Sequence, residues 1–131
     1  KIKQQIGVKA IITNNNNEIL LVKRSDKYNE IKNYWDIPGG RIDFGEEPLD
    51  GLKRELLEEI NLELDQVKKI IDASTVYKDD NKHIIRITYL CTVKNTNIQI
   101  SDEHTEFLWI NSKDIDFDLK DHLLKKCIKI L

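Results

Sequence analysis

The sequence predicts a mixed α/β domain, a sheet covered by helices on its faces. Three observations predict it. β-branched and apolar runs outnumber helical patterns. One helical pattern lies inside the chain, at about 47–60, and a second closes it, from Leu119 to about Ile130. A sheet with helices packed on it is the economical way to bury both kinds of apolar face.

The elements follow in order. Residues 2–13 end in a dense β-branched stretch and read as a strand. Asn14 to Asn17 make a polar turn, and residues 18–24, EILLVKR, form a second strand, so the pair predicts a hairpin. Residues 25–34 are polar and predict a loop. Pro38, Gly39, Gly40 and Gly45 then exclude any long regular element. The helix from Glu47 to Ile60 carries Pro48 in its first turn, where a missing N–H costs least. Asn61 suits a left-handed cap. Residues 67–77 and 84–94 read as strands around a turn at Asp79, Asp80 and Asn81, and 106–110 as a short strand. The terminal helix has Asp118 as its candidate N-cap and repeats Leu119, Leu123, Cys127 and Ile130 on one face.

Composition bounds the function. The 131 residues suit one domain spanning 1–131, with no internal repeat or linker. Apolar residues are 40 % and charged residues 34 %, which excludes a disordered chain. Net charge is -2, so nothing favours a nucleic-acid partner. Cys91 and Cys127 lack companions at metal-ligand spacing and read as buried small hydrophobes. No run approaches the ~18 apolar residues of a membrane span. The cytoplasm is the simplest location.

The internal helix is unusual. At about 100° per residue, with Glu55 at zero, Glu58 falls near 300° and Glu59 near 40°. Leu52, Leu56, Leu49 and Ile60 fall at roughly 60–140°. The acidic stripe therefore borders the apolar stripe, where a cleft could form, instead of opposing it. Like charges three and four residues apart each cost about 0.2–0.5 kcal/mol, and Glu58 and Glu59 face the unfavourable end of the helix dipole. A bound cation reverses those signs. Magnesium suits oxygen ligands of this kind, and manganese would serve too. Three glutamates alone are nevertheless more often a solvated face.

The preceding loop changes that balance. Gly39 and Gly40 allow backbone to approach a ligand. Residues 40–62, GRIDFGEEPLDGLKRELLEEINL, closely resemble the Nudix hydrolase box: G, five residues, E, seven residues, then R-E-U-x-E-E-x-G-U, with U bulky and apolar. Gly40, Glu46, Arg54, Glu55, Leu56, Glu58, Glu59 and Leu62 fall in register, and Asn61 stands where the family usually has glycine. The strand pair before the box, WDIPGG entering it and EFLWI after it resemble the family as well.

The resemblance implies an α/β/α sandwich with a mixed sheet between helices. It implies Glu55, Glu58 and Glu59 as metal ligands, with the Gly39 carbonyl as a backbone ligand. Arg54 would orient a box glutamate, partnered by Glu46. Glu103 looks like the extra glutamate that many members supply before a late strand, with Glu106 as runner-up. The implied cofactor is Mg²⁺, which Mn²⁺ can replace, and the implied partner is a small nucleotide. A homodimer is frequent in the family.

The implied reaction is water attack on phosphorus in a nucleoside diphosphate derivative, with Glu58 or Glu103 helping to deprotonate the water. Lys23, Arg24 and Arg86 are candidates for phosphate oxygens, and Arg86 stands out as a charge amid apolar neighbours. Trp35 and Tyr77 are candidates for the base, as are Tyr28, Tyr34, Phe107 and Trp109. His83 and His104 read as surface loop residues. The short chain looks most like the MutT-like nucleoside triphosphate pyrophosphatases. A nucleotide-sugar hydrolase of GDP-mannose type and a dinucleoside polyphosphate hydrolase are the alternatives.

Overall fold

The computed structural model describes residues 1–25, 35–95 and 97–115. Among the described residues, seven strands and one α-helix occur in the order β1 (Lys3–Ile12), β2 (Glu18–Arg24), β3 (Trp35–Asp36), β4 (Gly39–Arg41), α1 (Pro48–Ile60), β5 (Leu64–Lys78), β6 (Lys82–Val93) and β7 (His104–Asn111). The strands form a four-stranded sheet ordered β4-β1-β6-β5 and a three-stranded sheet ordered β3-β2-β7. The first is mixed, as expected: β1 runs parallel to β6 and antiparallel to β4.

The predicted β1–β2 hairpin does not form a ladder. β4 takes one edge of β1 at Gly7–Lys9, and β6 takes the other along its whole length. β2 therefore starts the second sheet, and one isolated bridge, Thr13 to Ile19, joins it to β1. The Asn turn makes the step. The Asn14 side chain accepts N–H bonds from Asn16 and Glu18, both 3.0 Å, and Asn17 takes a left-handed φ of 59°.

The helix is bounded as its sequence suggests. Pro48 opens it and Asp50 sits in its first turn, where a negative charge suits the dipole. Asn61 closes it at φ 59°, ψ 32°, and the Leu62 N–H returns to the Leu56 carbonyl at 3.2 Å. Leu52, Leu56 and Ile60 are fully buried against Val8, Ala10 and Ile12 of β1 and Leu20 and Val22 of β2. Leu49, expected on the same stripe, is 40 % exposed. It lies in the first turn, ahead of Gly51, where the buried helix face begins.

The alternate residues of the same strands, Ile11, Ile19 and Leu21, pack with Ile37 in a second core flanked by Trp35, Ile71, Leu90 and Ile110. β1 and β2 are thus buried on both faces, the condition of strands inside a layered fold. Cys91 is fully buried and burial pushes its thiol up to about 12, as an inert hydrophobe requires. Cys127 and the expected terminal helix lie outside the described residues, as do Tyr28 and Tyr34. No helix among the described residues is long and apolar enough to cross a membrane.

Candidate active site

Two glycines bring backbone onto the helix carboxylates. Gly39 has a φ of +143°, and a side chain there would strike the Val8 carbonyl. Its N–H donates to Glu59 Oε2 at 3.4 Å. At Gly40, a Cβ would fall 2.5 Å from Glu55 Oε2. A third close approach seats the helix: a Cβ at Gly51 would fall 2.5 Å from Ile42 Cγ2.

Arg54 ties the loop to the helix. Its Nε and Nη2 donate to the two oxygens of Glu46, each at 2.9 Å. Nη1 donates to Glu55 Oε1 at 3.0 Å and Glu58 Oε2 at 3.3 Å, and Nη2 also donates to the Arg41 carbonyl at 3.1 Å. Glu46 accepts the Asp43 N–H at 2.9 Å as well. The hydrogen bonds from Arg54 hold the Glu46 carboxyl down at about 2. The same ion pairs raise the Arg54 guanidinium further above its already high value.

The three helix glutamates differ sharply in exposure. Glu59 is buried, Glu55 is mostly buried, and the Glu58 side chain is 60 % exposed. Glu59 lies beside Glu55. Burial first, and then Glu55 beside it, push the Glu59 carboxyl up to about 8, against opposing pulls from Lys9 and the Gly39 N–H. Two adjacent carboxylates beside polar backbone are hard oxygen donors. That donor chemistry fits a divalent cation, which would return Glu59 to the ionised form. Glu58 stays on Arg54 at the helix surface, so among the described residues no three Asp, Glu, His or Cys side chains gather around one point.

A cleft of about 370 Å³ opens from this corner. Gly7, Lys9, Arg24, Asp36, Gly39, Gly40, Arg41, Val76, Ile84 and Arg86 line it. It thus contains two of the sequence-expected substrate residues, Arg24 and Arg86. Lys23 is outside, with its Nζ 5.8 Å from the Trp35 ring and 3.3 Å from Glu106. That ion pair occupies Glu106 on β7. Trp35 packs on the second core, and Tyr77 is half-exposed, donating to Asp79 at 2.6 Å. Phe107 is exposed and Trp109 packs on the first core. Glu103 is half-buried in a loop that meets the helix end: the Ser101 N–H donates to the Glu59 carbonyl at 2.8 Å, and the Ser25 N–H to the Glu103 carbonyl at 2.8 Å.

Sequence reasoning missed Lys9 and Asp36. Lys9 Nζ donates to Asp36 Oδ2 at 3.0 Å and to the Ile37 carbonyl at 3.1 Å, with both side chains largely buried. The available signal was a lysine inside the apolar run VKAII and an aspartate beside WDIPGG. The histidines are not loop residues either. His83 lies in β6, 2.9 Å from Thr75 Oγ1. His104 is buried at the start of β7, where burial and the charges of Arg24 and Lys9 lower it to about 4.

The NUDIX domain family matches the chain over residues 3–128. The chain belongs to the Nudix family. Dependence on divalent metal is general among Nudix hydrolases. The nucleoside triphosphatase NudI of Escherichia fergusonii is 30 % identical over 115 residues, covering 80 % of this chain and 82 % of that protein. The m7GpppN-mRNA hydrolase NUDT17 of Xenopus laevis is 39 % identical over 62 residues, 47 % of this chain. The chain spans 21 % of that frog relative's length and 66 % of the length of a MutT-like relative from Streptomyces ambofaciens. The crystal structure of a MutT protein from Methanosarcina mazei superposes with a TM-score of 0.83 at 23 % identity, covering 99 % of this chain and 94 % of that one. The fold is therefore the Nudix α/β sandwich.

Proposed function

We propose that this Nudix hydrolase cleaves a (deoxy)nucleoside triphosphate to the monophosphate and pyrophosphate by attack of water on phosphorus. Mg²⁺ is the metal, and Mn²⁺ can replace it. One observation carries the reading: the Glu55–Glu59 carboxylate pair lies against Gly39 and Gly40, which also line a cleft with Lys9, Arg24, Arg41 and Arg86. Oxygen donors for a cation thus adjoin cations for phosphates. The 30 % identity to a nucleoside triphosphatase supports the same substrate class.

Glu55, Glu59 and the Gly39 carbonyl would hold the metal, with Glu58 and Glu103 completing the set. When bound, Mg²⁺ neutralises charge on non-bridging oxygens and makes water a better nucleophile. Glu58 or Glu103 takes the proton from the attacking water. Arg54 positions Glu55 and Glu58. Arg24 and Arg86 hold phosphate oxygens. Lys23 and Trp35 are chain neighbours of the cleft residues Arg24 and Asp36, and flank the nucleoside end. The family match across residues 3–128 supports a single domain, and the buried free thiol of Cys91 suits a cytoplasmic setting.

The test is a panel of nucleoside triphosphates, dinucleoside polyphosphates and nucleotide sugars, assayed with Mg²⁺ and Mn²⁺ and resolved by chromatography. Monophosphate and pyrophosphate are the expected products, with ¹⁸O from water in a phosphate. Label in a sugar would instead indicate a nucleotide-sugar hydrolase acting at carbon. Turnover that survives removal of all divalent metal would overturn the reading.

A further inference from the structure

A second cavity, of about 570 Å³, lies at the other end of the same strands. On β1 the run reaches it at Thr13, four residues past Lys9 of the cleft, or about 13 Å along the strand. The cavity and the cleft share no lining residue. Ile19 and Leu90, both part of the second core, give it an apolar floor. Its walls come from separate stretches of chain: the asparagine turn, β5, and the 3-10 turn Ser112–Asp114 that follows β7.

Three lysines line it, Lys68, Lys69 and Lys113, and no carboxylate does among the described residues. None of the three ammonium groups is engaged in an ion pair or a side-chain hydrogen bond. Acids close by in sequence are turned to other work. Glu18 accepts from Asn14 Nδ2 at 3.0 Å, and Asp72 accepts the Ser74 hydroxyl at 2.7 Å. Asp114 is exposed and outside the lining. The side-chain amides of Asn15 and Asn17 face the same space with no partner among the described residues.

The backbone of β5 accounts for the pair of lysines. Consecutive side chains of a regular strand point to opposite faces, so Lys68 and Lys69 should not share a cavity. Here Val67 pairs with Cys91 and Lys69 with Leu90, two steps of β5 against one of β6. Lys68 is the extra residue of a bulge, a device that re-aims side chains. Lys69 stands on the face of Leu90, and Lys68 joins it at the cavity. Lysines on an edge strand such as β5 also discourage pairing with another chain. That purpose does not require both on one cavity, and it does not concern Lys113, beyond β7.

We propose that this cavity binds a phosphorylated small molecule. Its phosphate meets Lys68, Lys69 and Lys113, and its body lies on Ile19 and Leu90 within reach of the asparagine amides. The volume falls within the roughly 300–1,000 Å³ of small-molecule sites. A phosphate monoester matches three ammonium groups better than a carboxylate does, because it carries nearly two charges and three acceptor oxygens. The site stands whether or not the cleft hydrolyses a phosphoanhydride.

The test is a titration of the metal-free chain in EDTA, followed by backbone amide shifts in two-dimensional NMR. The probes are adenosine 5′-monophosphate, ribose 5-phosphate, adenosine and citrate. The phosphorylated probes should shift the amides of Asn15, Asn17, Leu90 and Lys113 saturably, and bind more tightly than adenosine or citrate. Tighter binding of the nucleotide than of the sugar phosphate assigns a nucleotide; equal binding assigns a sugar phosphate. Lys68→Gln, Lys69→Gln and Lys113→Gln alter exposed side chains and should melt like the wild type. Each should weaken phosphate binding about tenfold, the loss of one charge-assisted hydrogen bond. Shifts confined to Gly39 and Gly40, shifts that never saturate, or binding indifferent to all three lysines would overturn the inference. So would citrate, an acidic peptide or a single-stranded oligonucleotide binding there in preference to the monophosphate.

Discussion

Arg54 grips Glu46 through two parallel hydrogen bonds of 2.9 Å, and the same guanidinium reaches Glu55 and Glu58. One side chain thereby fixes the loop, the helix and two candidate ligands. A lysine keeps the charge but not the fork. Arg54→Lys should therefore lose roughly 10–100-fold in metal affinity or turnover, the usual effect of disturbing residues that orient ligands. Metal titration beside steady-state kinetics checks it. An unchanged metal affinity and turnover would remove Arg54 from the site.

Gly40→Ala separates folding from function. The new methyl group would collide with the Glu55 carboxylate, the free end of a flexible side chain. That end can swing away, so the melting temperature should stay near that of the wild type. Turnover should fall roughly 10–100-fold because Glu55 has left its place. Thermal melting and kinetics on the same preparation read both.

The Glu59 carboxyl sits near 8 in the folded chain against an ordinary 4.5. The folded state therefore holds a proton that the unfolded state has released between those values. This contribution is fully present below pH 4.5 and is lost as pH rises to 8. Metal-free protein should melt lower at pH 8 than at pH 5, Glu59→Gln should flatten that slope, and Mg²⁺ should reverse it. Near pH 7, Mg²⁺ binding should also expel a proton, which calorimetry in buffers of different ionisation heat counts.

The Lys9–Asp36 pair is mostly buried, so removing one partner strands the other. Lys9→Met should cost about 3 kcal/mol of stability, and Asp36→Asn with Lys9→Met less than the sum of the single changes. Urea unfolding of the four proteins in the cycle measures the coupling. Strict additivity would mean that the two side chains do not interact.

Leu56 is fully buried beneath the helix. Leu56→Ala should cost about 2–5 kcal/mol, whereas Leu49→Ala, half-exposed in the first turn, should cost far less. Denaturant midpoints distinguish them.

Much of this was legible in the sequence. The helix, its proline start and its asparagine cap follow from local chemistry, as do the long strands. The box put Glu55, Glu59 and Arg54 on a helix beside Gly40, because helical phase and a short glycine loop are local properties. What was not legible depends on partners far along the chain. The pairing of β1 was hidden because an Asn turn predicts a hairpin equally well, and only the competition of β4 and β6 for its edges decides against one. Lys9 looked like strand filler, and its meaning comes from Asp36, 27 residues later. Tyr77 stood out as an aromatic candidate for the base, and the sequence did not show that its hydroxyl is held by Asp79 in the neighbouring turn. Glu58 shares the helical face of Glu55 and Glu59, yet its exposure differs because only part of that face meets β4.

The parallel pairing of β1 with β6 joins residues 79 positions apart at every rung. Contacts of that span form slowly, since a long loop must close before any of them is gained. The helix can form early from neighbouring residues, but Arg86 cannot meet Gly7 until this last long closure is made. Acquisition of nucleotide affinity during refolding should consequently lag behind helix formation and follow the slow phase of sheet assembly. The chemistry of the glutamates is written in one short stretch of chain; the ability to hold a substrate against them is a late product of folding.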